Sequence, residues 1–366
     1  MRLEEYNGSG VLACYDPSSE GSVKYMEAST NTMVVQVDKA VLSVGGEKYE
    51  YSITGDIPFN ENDIIYINQK GFCRLVFSYG EYSQTLIVTN KCNSNCIMCP
   101  YTSSFRRSIP DTEEKFLIQQ VDYLPAATRH LVITGGEPTL KDDVFFDVMK
   151  RIYDRFEDIH CLLLSNGRSF SIERIIAKAN SIFNRNMIVA IPIHGATAKL
   201  HDSITRARGS FEQTIKGIKN LINCNISVEL RVVVFKKNLN DMTDIARLII
   251  NEFPHVDIVN YMAAEMCGNA VINSLDVWVN YSDAFHSCET AIDELISAGI
   301  DVGIYNFPLC SVPRKYWGLY KKSISGYKVR YGQVCDRCCE KTICGGVFAS
   351  SLKYAEDGMK PYMEIG

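Results

Sequence analysis

From about residue 84 the sequence repeats one rhythm: a short apolar run, a polar or glycine-rich loop, then an amphipathic stretch. The apolar runs are "TLIVTN", "HLVITG", "HCLLLSN", "NMIVAIPI", "SVELRVVVF" and "VDIVNYM". Between them lie the helical patterns "TEEKFLIQQVDYL", "KDDVFFDVMKRIYDRF", "SFEQTIKGIKNLI" and "NDMTDIARLIINEF". Some six βα units at a spacing of about 30 residues imply a parallel sheet covered by helices. Periodicity alone leaves open whether the sheet is open, doubly wound or a partial barrel.

Two stretches of different character flank this region. Residues 1 to 83 are rich in Gly, Ser and Tyr, with alternating runs such as "TMVVQVDKAVLSV" and "DIIYIN" broken by the turn signals "GG", "TGD" and "NEN". They are expected to form a small all-β domain. From about 269 come one more helix, "YSDAFHSCETAIDELISAG", and a strand, "DVGIYNF", followed by a loop-rich region with cysteines at 310, 335, 338, 339 and 344.

The formal charge of −5 argues against a broad nucleic-acid-binding face, which would carry a basic excess. Residues 1 to 30 hold no apolar run with basic flanks of the secretory kind, and runs such as "HLVIT" are too short to cross a bilayer. A cytoplasmic protein is expected, with no membrane and no nucleic-acid partner. Fourteen cysteines are many for such a chain. In a reducing compartment, and clustered as they are, they point to metal ligation rather than to a disulfide framework.

In parallel α/β folds chemistry gathers at the carboxyl ends of the strands. The first strand runs straight into "KCNSNCIMCP", which holds Cys92, Cys96 and Cys99 but no fourth cysteine. The second ends in "TGGEP", Thr134 to Pro138; the third in "SNG", Ser165 to Gly167; the fourth in "IHG", with His194 and Gly195. A zinc ion or an iron–sulfur cube normally takes four protein ligands. A structural zinc knuckle borrowing its fourth ligand elsewhere would leave "TGGEP" and "SNG" unexplained.

C-x3-C-x2-C after a first strand, with Gly-Gly-Glu-Pro after the second, resembles the radical S-adenosylmethionine superfamily, over about residues 84 to 265. The resemblance implies a partial (β/α)6 barrel. It also implies that Cys92, Cys96 and Cys99 bind three irons of a [4Fe–4S] cluster, whose open iron takes S-adenosylmethionine. Reductive cleavage would then give a 5′-deoxyadenosyl radical that abstracts hydrogen from substrate. By the same resemblance Gly135, Gly136, Glu137 and Pro138 lie along the methionyl part, and Ser165 and Asn166 along the ribose or carboxylate. Arg231 is a candidate carboxylate partner, with a structural salt bridge to a helix as its alternative. Met98 stands where many relatives carry an aromatic beside the adenine. His194 is a candidate for the ribose or the substrate, or a structural histidine. "IPIHGATAKLHDSITRARGSF" resembles a segment of peptide-modifying members, departing from it at Pro192, His194 and Gly195; His201-Asp202 is expected to brace the loop that follows.

Cys335-x2-Cys338-x5-Cys344, then Gly345-Gly346, with Cys310 upstream, resembles the SPASM/twitch auxiliary-cluster extension of peptide-modifying radical enzymes. It implies a second [4Fe–4S] cluster with no open iron; zinc is the rival, and Cys339 an alternative ligand. Cys14, Cys73, Cys161, Cys224, Cys267 and Cys288 read as small core residues. "CNSNCIMCP", "TGGEPTL", "SNGRSFS", "IPIHGATAKLHDSITR", "EMCGNA", "YNFPLC", "SISGYKVRY" and "CGGVF" together resemble the HxsC family of His-Xaa-Ser system radical maturases. That likeness implies a peptide or small-protein substrate, a partner radical enzyme from the same locus and an external electron donor of flavodoxin or ferredoxin type. A radical enzyme acting on a small molecule, and a non-catalytic iron–sulfur carrier or scaffold, are the competing readings. No catalytic side chain is assigned.

Overall fold

In a computed structural model the described residues are 73–108 and 111–363, together with short strands upstream. Those upstream strands are Arg2–Leu3, Val11–Tyr15, Val23–Lys24, Asn31–Val35, Ala40–Val44, Glu47–Tyr51, Ile53–Thr54 and Asp63–Ile67. They pair antiparallel in three small sheets, one of which also takes Cys73–Phe77. The side chains of Cys14 and Cys73 lie outside the described residues.

The larger sheet has eight strands in chain order: β1 (Ser83–Thr89), β2 (His130–Gly135), β3 (His160–Leu164), β4 (Met187–Pro192), β5 (Ser227–Val234), β6 (Ile258–Ala263), β7 (Asp301–Tyr305) and β8 (Tyr320–Lys321). The register is parallel from β4 to β8, pairing Arg231 with Pro192 and with Asn260, and Asn260 with Gly303. This is the parallel α/β arrangement that the strand–helix rhythm dictates. The six repeated units account for β1 to β6, "DVGIYNF" supplies β7, and the sheet continues through β8. A strand of two residues is too short for any periodicity to announce.

The principal connecting helices are α1 (Ser103–Ser108), α2 (Glu114–Asp122), α3 (Asp143–Arg155), α4 (Glu173–Ile182), α5 (Ala198–Thr205), α6 (Ser210–Asn223), α7 (Met242–Glu252), α8 (Asn269–Ile272), α9 (Ser274–Val277) and α10 (Tyr281–Ser297). α10 buries Tyr281, Ala284, Phe285, Cys288, Ala291, Ile292 and Leu295, the three-and-four spacing of a single apolar stripe. Its start is fixed by Asn280, whose side chain accepts a hydrogen bond from the Ser282 N–H at 2.8 Å. α3 buries Phe145, Phe146, Val148, Met149 and Ile152 in the same way.

By their contacts the residues fall into two compact units. One comprises Met1–Val88, Thr112–Thr134 and Asp143–Leu162. In it, Arg151 forks across both oxygens of Asp122, at 2.7 and 2.8 Å. The other comprises Thr89–Asp111, Gly135–Asp142 and Leu163–Gly366. It contains both cysteine groups and the ends of β1, β2 and β3. Within it α6 carries Gly217, where a Cβ would stand 2.1 Å from the Gly167 carbonyl oxygen. That glycine lowers helix propensity, yet it lets α6 press against the "SNG" turn.

Candidate functional site

The loop that leaves β1 carries Cys92, Cys96 and Cys99. It is held from one side by the last turn of α5: the N–H groups of Asn95 and Ile97 donate to the carbonyls of Thr205 and Ile204, both at 2.9 Å. Ser94 N–H points at the Cys92 sulfur at 3.4 Å, and Arg106 of α1 brings a guanidinium nitrogen 3.8 Å from the Cys99 sulfur. Burial pushes the Cys92 thiol up and the Cys96 thiol up to about 12, against the pull of Arg106. Arg168 donates to the Ser94 hydroxyl at 3.0 Å and so ties the "SNG" turn to the same loop.

"TGGEP" meets this loop through backbone. Gly136 N–H donates to the Thr89 carbonyl at 2.7 Å, and Glu137 N–H to that of Lys91 at 2.8 Å. A Cβ at Gly135 would lie 2.3 Å from the Thr89 oxygen, and one at Gly136 would lie 2.1 Å from the Lys91 oxygen. Gly135 also has φ +153°, a value side-chain-bearing residues seldom adopt. The close approach these glycines permit is thus to the base of the cysteine loop.

Glu137 is completely buried. Its Oε1 accepts from the Thr139 hydroxyl at 2.6 Å and the Ser165 hydroxyl at 2.8 Å, and its Oε2 from the Asn166 N–H at 2.7 Å. Burial pushes its carboxyl up, while these donors stabilise the charged form. Ser165 also accepts from the Gly167 N–H at 3.0 Å, and the Asn166 amide donates to Asn93 at 2.7 Å. Glu137, Ser165 and Asn166 therefore join two strand ends by bonding to one another. Pro138, also buried, opens the 3₁₀ turn that Glu137 caps.

The remaining expected contacts are placed differently. Arg231 lies on β5 with its Nε 2.6 Å from Glu229 Oε1, two residues back on the same strand. The salt-bridge partner is therefore a strand carboxylate and not a helix residue. Strand alternation carries that signal, since i and i+2 share a face. Met98 packs against the apolar cluster of Ile97, Ile204, Phe235 and Met266. His194 is buried, with its Nδ1 lacking any hydrogen-bond partner and its ring 5.4 Å from that of His201. Burial, helped by His201, holds His194 well below the usual histidine range. His201 accepts from the His194 N–H at its Nδ1, 3.3 Å away, which assigns the proton of the neutral ring to Nε2; burial lowers its pKa to about 4. Asp202 accepts from the Gly209 N–H at 2.6 Å and from the Phe211 N–H and Ser210 hydroxyl at 2.8 Å, which braces the following loop.

Sequence reasoning missed several residues. Asp111 takes hydrogen bonds from Thr89 and Asn90 at 2.6 and 2.9 Å and an ion pair from Lys141 at 2.8 Å. Despite partial burial, which acts upward, these donors hold its carboxyl below the usual range. Asn260 of β6 is fully buried, and both its amide atoms lack hydrogen-bond partners. Cys267 is only half-buried, and Cys99 contributes to the upward shift of its thiol, whose main cause is burial. It lies beside the cysteine loop, whereas Cys161 and Cys288 are core residues.

The second cysteine group lines one pocket. Cys310, Cys335, Cys338 and Cys344 all face it, with Tyr331, Met359 and Tyr362. Backbone N–H groups aim at the sulfurs: Gly346 and Leu309 at Cys344, at 3.3 and 3.4 Å, and Tyr362 at Cys338, at 3.4 Å. Burial pushes the Cys310 and Cys335 thiols up. Cys339 is exposed and does not line this pocket; its N–H donates to the Tyr362 carbonyl. Among the described residues no three His, Cys, Asp or Glu side chains converge as a site for a single metal ion. No described helix is long and apolar enough to cross a membrane.

Comparison with known proteins finds likeness over the region that carries the first cysteine group. The family profile of the Radical SAM superfamily matches residues 86–249. The AdoMet-dependent heme synthase of Methanosarcina barkeri is 30% identical over 159 residues, 43% of each chain. The mycofactocin maturase MftC of Mycolicibacterium smegmatis is 26% identical over 164 residues, 44% of this chain and 40% of that one. The antilisterial bacteriocin subtilosin biosynthesis protein AlbA of Bacillus subtilis is 27% identical over 168 residues, 45% and 36% of the two chains. The chain thus spans less than half the length of each of these relatives. The chain is thus similar to the Radical SAM superfamily over residues 86–249, a segment that has the cysteine loop near its start.

Proposed function

We propose that the protein is a radical S-adenosylmethionine enzyme that modifies a ribosomally made peptide, of the His-Xaa-Ser type. The observation that carries the enzymatic reading is the three-cysteine loop at the end of β1, bonded through backbone to the Gly135–Glu137 segment. A [4Fe–4S] cluster with S-adenosylmethionine on its open iron supplies, when bound, one electron and a carbon radical that takes a hydrogen atom from substrate. Cys92, Cys96 and Cys99 would hold that cluster. The Ser94 N–H points at the Cys92 sulfur and the Arg106 guanidinium at the Cys99 sulfur, the kind of donor that iron–sulfur ligands take. The buried Glu137 keeps the Gly-Gly turn and the Ser165–Asn166 turn in fixed relation. Gly135, Gly136, Pro138, Ser165 and Asn166 then present the cofactor mostly with backbone. Met98, His194 and Arg231 stand as further cofactor contacts, Arg231 through the guanidinium nitrogens that Glu229 leaves free.

The four-thiol pocket fits a second, closed [4Fe–4S] cluster. Cys310, Cys335, Cys338 and Cys344 line it together, and backbone N–H groups point at the sulfurs, as iron–sulfur clusters favour. Zinc on the same thiolates is the rival that the sequence leaves, although no three of these side chains converge on a single ion. Residues 1–83 are assigned to peptide recognition, 84–268 to the radical core and 269–366 to the auxiliary cluster. An external flavodoxin- or ferredoxin-type donor, a partner radical enzyme from the same locus and a cytoplasmic setting complete the reading.

The relatives named as a mycofactocin maturase and a subtilosin biosynthesis protein support a peptide substrate; the heme synthase relative favours a small molecule as the second reading. The test is anaerobic incubation with reductant, S-adenosylmethionine and a peptide encoded beside this gene. We expect 5′-deoxyadenosine and a changed peptide, with a loss of two hydrogens for a crosslink. Cofactor cleavage with the peptide untouched would move the assignment to a small molecule. No cleavage at all would leave an electron carrier or scaffold.

A further inference from the structure

We propose that Asn269 and Asn273, which lie outside the family-matched segment 86–249, are positioning residues for the three-cysteine loop. The inference rests on the proposed role of that loop as the cofactor cluster's ligand set. The loop has two sides. The last turn of α5 bonds its N–H groups, as described above, while its carbonyls face the start of α8. There the Asn269 N–H donates to the Cys99 carbonyl at 2.9 Å, and its side-chain amide donates to the Cys96 carbonyl at 2.9 Å and to Asn95 Oδ1 at 3.2 Å. Asn273, one helical turn on, donates to the Ile97 carbonyl at 3.0 Å and to the Asn269 carbonyl at 2.7 Å. Arg206, just past α5, donates to Asn273 Oδ1 at 2.6 Å and so links the two sides.

Three peptide carbonyls of the loop, those of Cys96, Ile97 and Cys99, are thereby read by one short segment. Asn269 itself is 5% exposed, so its donors have no water to turn to. The approach is close enough to dictate the preceding residue. Gly268 has φ +55°, and a Cβ there would sit 2.0 Å from the Pro100 oxygen and 2.8 Å from that of Cys99. A buried residue whose side-chain amide and backbone N–H donate to the Cys96 and Cys99 carbonyls fixes those peptide planes, and with them the directions of the Cys96 and Cys99 Cα–Cβ bonds. The segment thus supplies geometry to the thiolates without touching iron or cofactor.

The test uses the full-length chain and reads cysteine labelling by a maleimide after iron removal, resolved peptide by peptide. Cys288, buried in α10, reports on the fold as a whole. For Asn269→Ala we expect Cys96 and Cys99 to label about tenfold faster, the scale of one or two lost hydrogen bonds, with Cys288 unchanged. Asn273→Ala, which deletes fewer bonds, should give a smaller change with the same pattern. In the anaerobically purified, iron-loaded chain the Asn269→Ala cluster spectrum should respond less to added S-adenosylmethionine. Wild-type labelling rates at Cys96 and Cys99 would overturn the proposal. A parallel rise at Cys288 in both variants would also overturn it, by showing a fold-wide role. A wild-type chain that takes up no iron would instead remove the functional reading, while the labelling result still decides the clamp.

Discussion

The two cysteine groups gather their sulfurs in opposite ways. The first places Cys92, Cys96 and Cys99 on one continuous loop, whose main chain is bonded on both sides by α5 and by Asn269 and Asn273. The second collects Cys310 from one turn, Cys335 and Cys338 from another and Cys344 from further along, lining one pocket with Tyr331 and Tyr362. A loop braced through its backbone keeps its shape with only three sulfurs, which suits a cluster that must leave one iron open. A pocket assembled from distant turns has little to hold it besides what fills it. The first group is therefore expected to tolerate loss of metal, and the second to depend on metal for its order.

The largest effect should come from breaking one group at a time. Cys96→Ala is expected to abolish 5′-deoxyadenosine formation, with iron falling from about eight to about four per chain. The pair Cys335→Ala and Cys338→Ala should lose the same iron and retain cofactor cleavage, with greater protease sensitivity of residues 305–363. Iron analysis and limited proteolysis read both.

Backbone crowding sharpens the contrast. Gly136→Ala drives a methyl to 2.1 Å from the Lys91 oxygen and is expected to cost about 3 kcal/mol. Gly346→Ala, at φ +64° and 2.6 Å from the Arg330 oxygen, is expected to cost about 2 kcal/mol. Thermal melts give the costs, and cofactor cleavage should fall in the first variant only.

A smaller difference concerns acid. His201 sits on α5, whose last turn grips the first loop, while no histidine lines the C-terminal pocket. Its pKa is lowered to about 4 in the fold by burial and returns to about 6.5 on unfolding. The unfolded chain binds the extra proton in that window, so stability falls as pH drops from about 6.5 to about 4 and then levels. His201→Gln should flatten this limb in urea titrations across pH. The smallest effect is expected for Cys339→Ser, whose side chain is exposed and away from the pocket. Iron content and cleavage should match the wild type.

Much of this was legible in the sequence because it is local. Alternating apolar runs announced β1 to β7, and cysteine spacing announced both groups. Less legible were roles that depend on distant main chain. Gly135 and Gly136 are expected along the methionyl part of the cofactor, whereas the close approach that the fold shows is to the carbonyls of Thr89 and Lys91. Glu137 is spent on Ser165, Asn166 and Thr139, partners that only folding brings within reach. Asp111 and Asn273 carry no motif, and "EMCGNA" marks Asn269 without telling what it bonds; their weight comes from backbone groups they satisfy far along the chain. The Glu229–Arg231 pair was readable from strand alternation alone.

The distance between Cys96 and the amide that reads its carbonyl, 173 residues along the chain, has a consequence for synthesis. On the ribosome the cysteine loop emerges long before Asn269 does, and through that interval its carbonyls have only water for company. Iron delivered early meets a loose tether. Iron delivered after α8 has folded meets a finished socket, so the timing of cluster insertion is written into the chain by the position of a single asparagine.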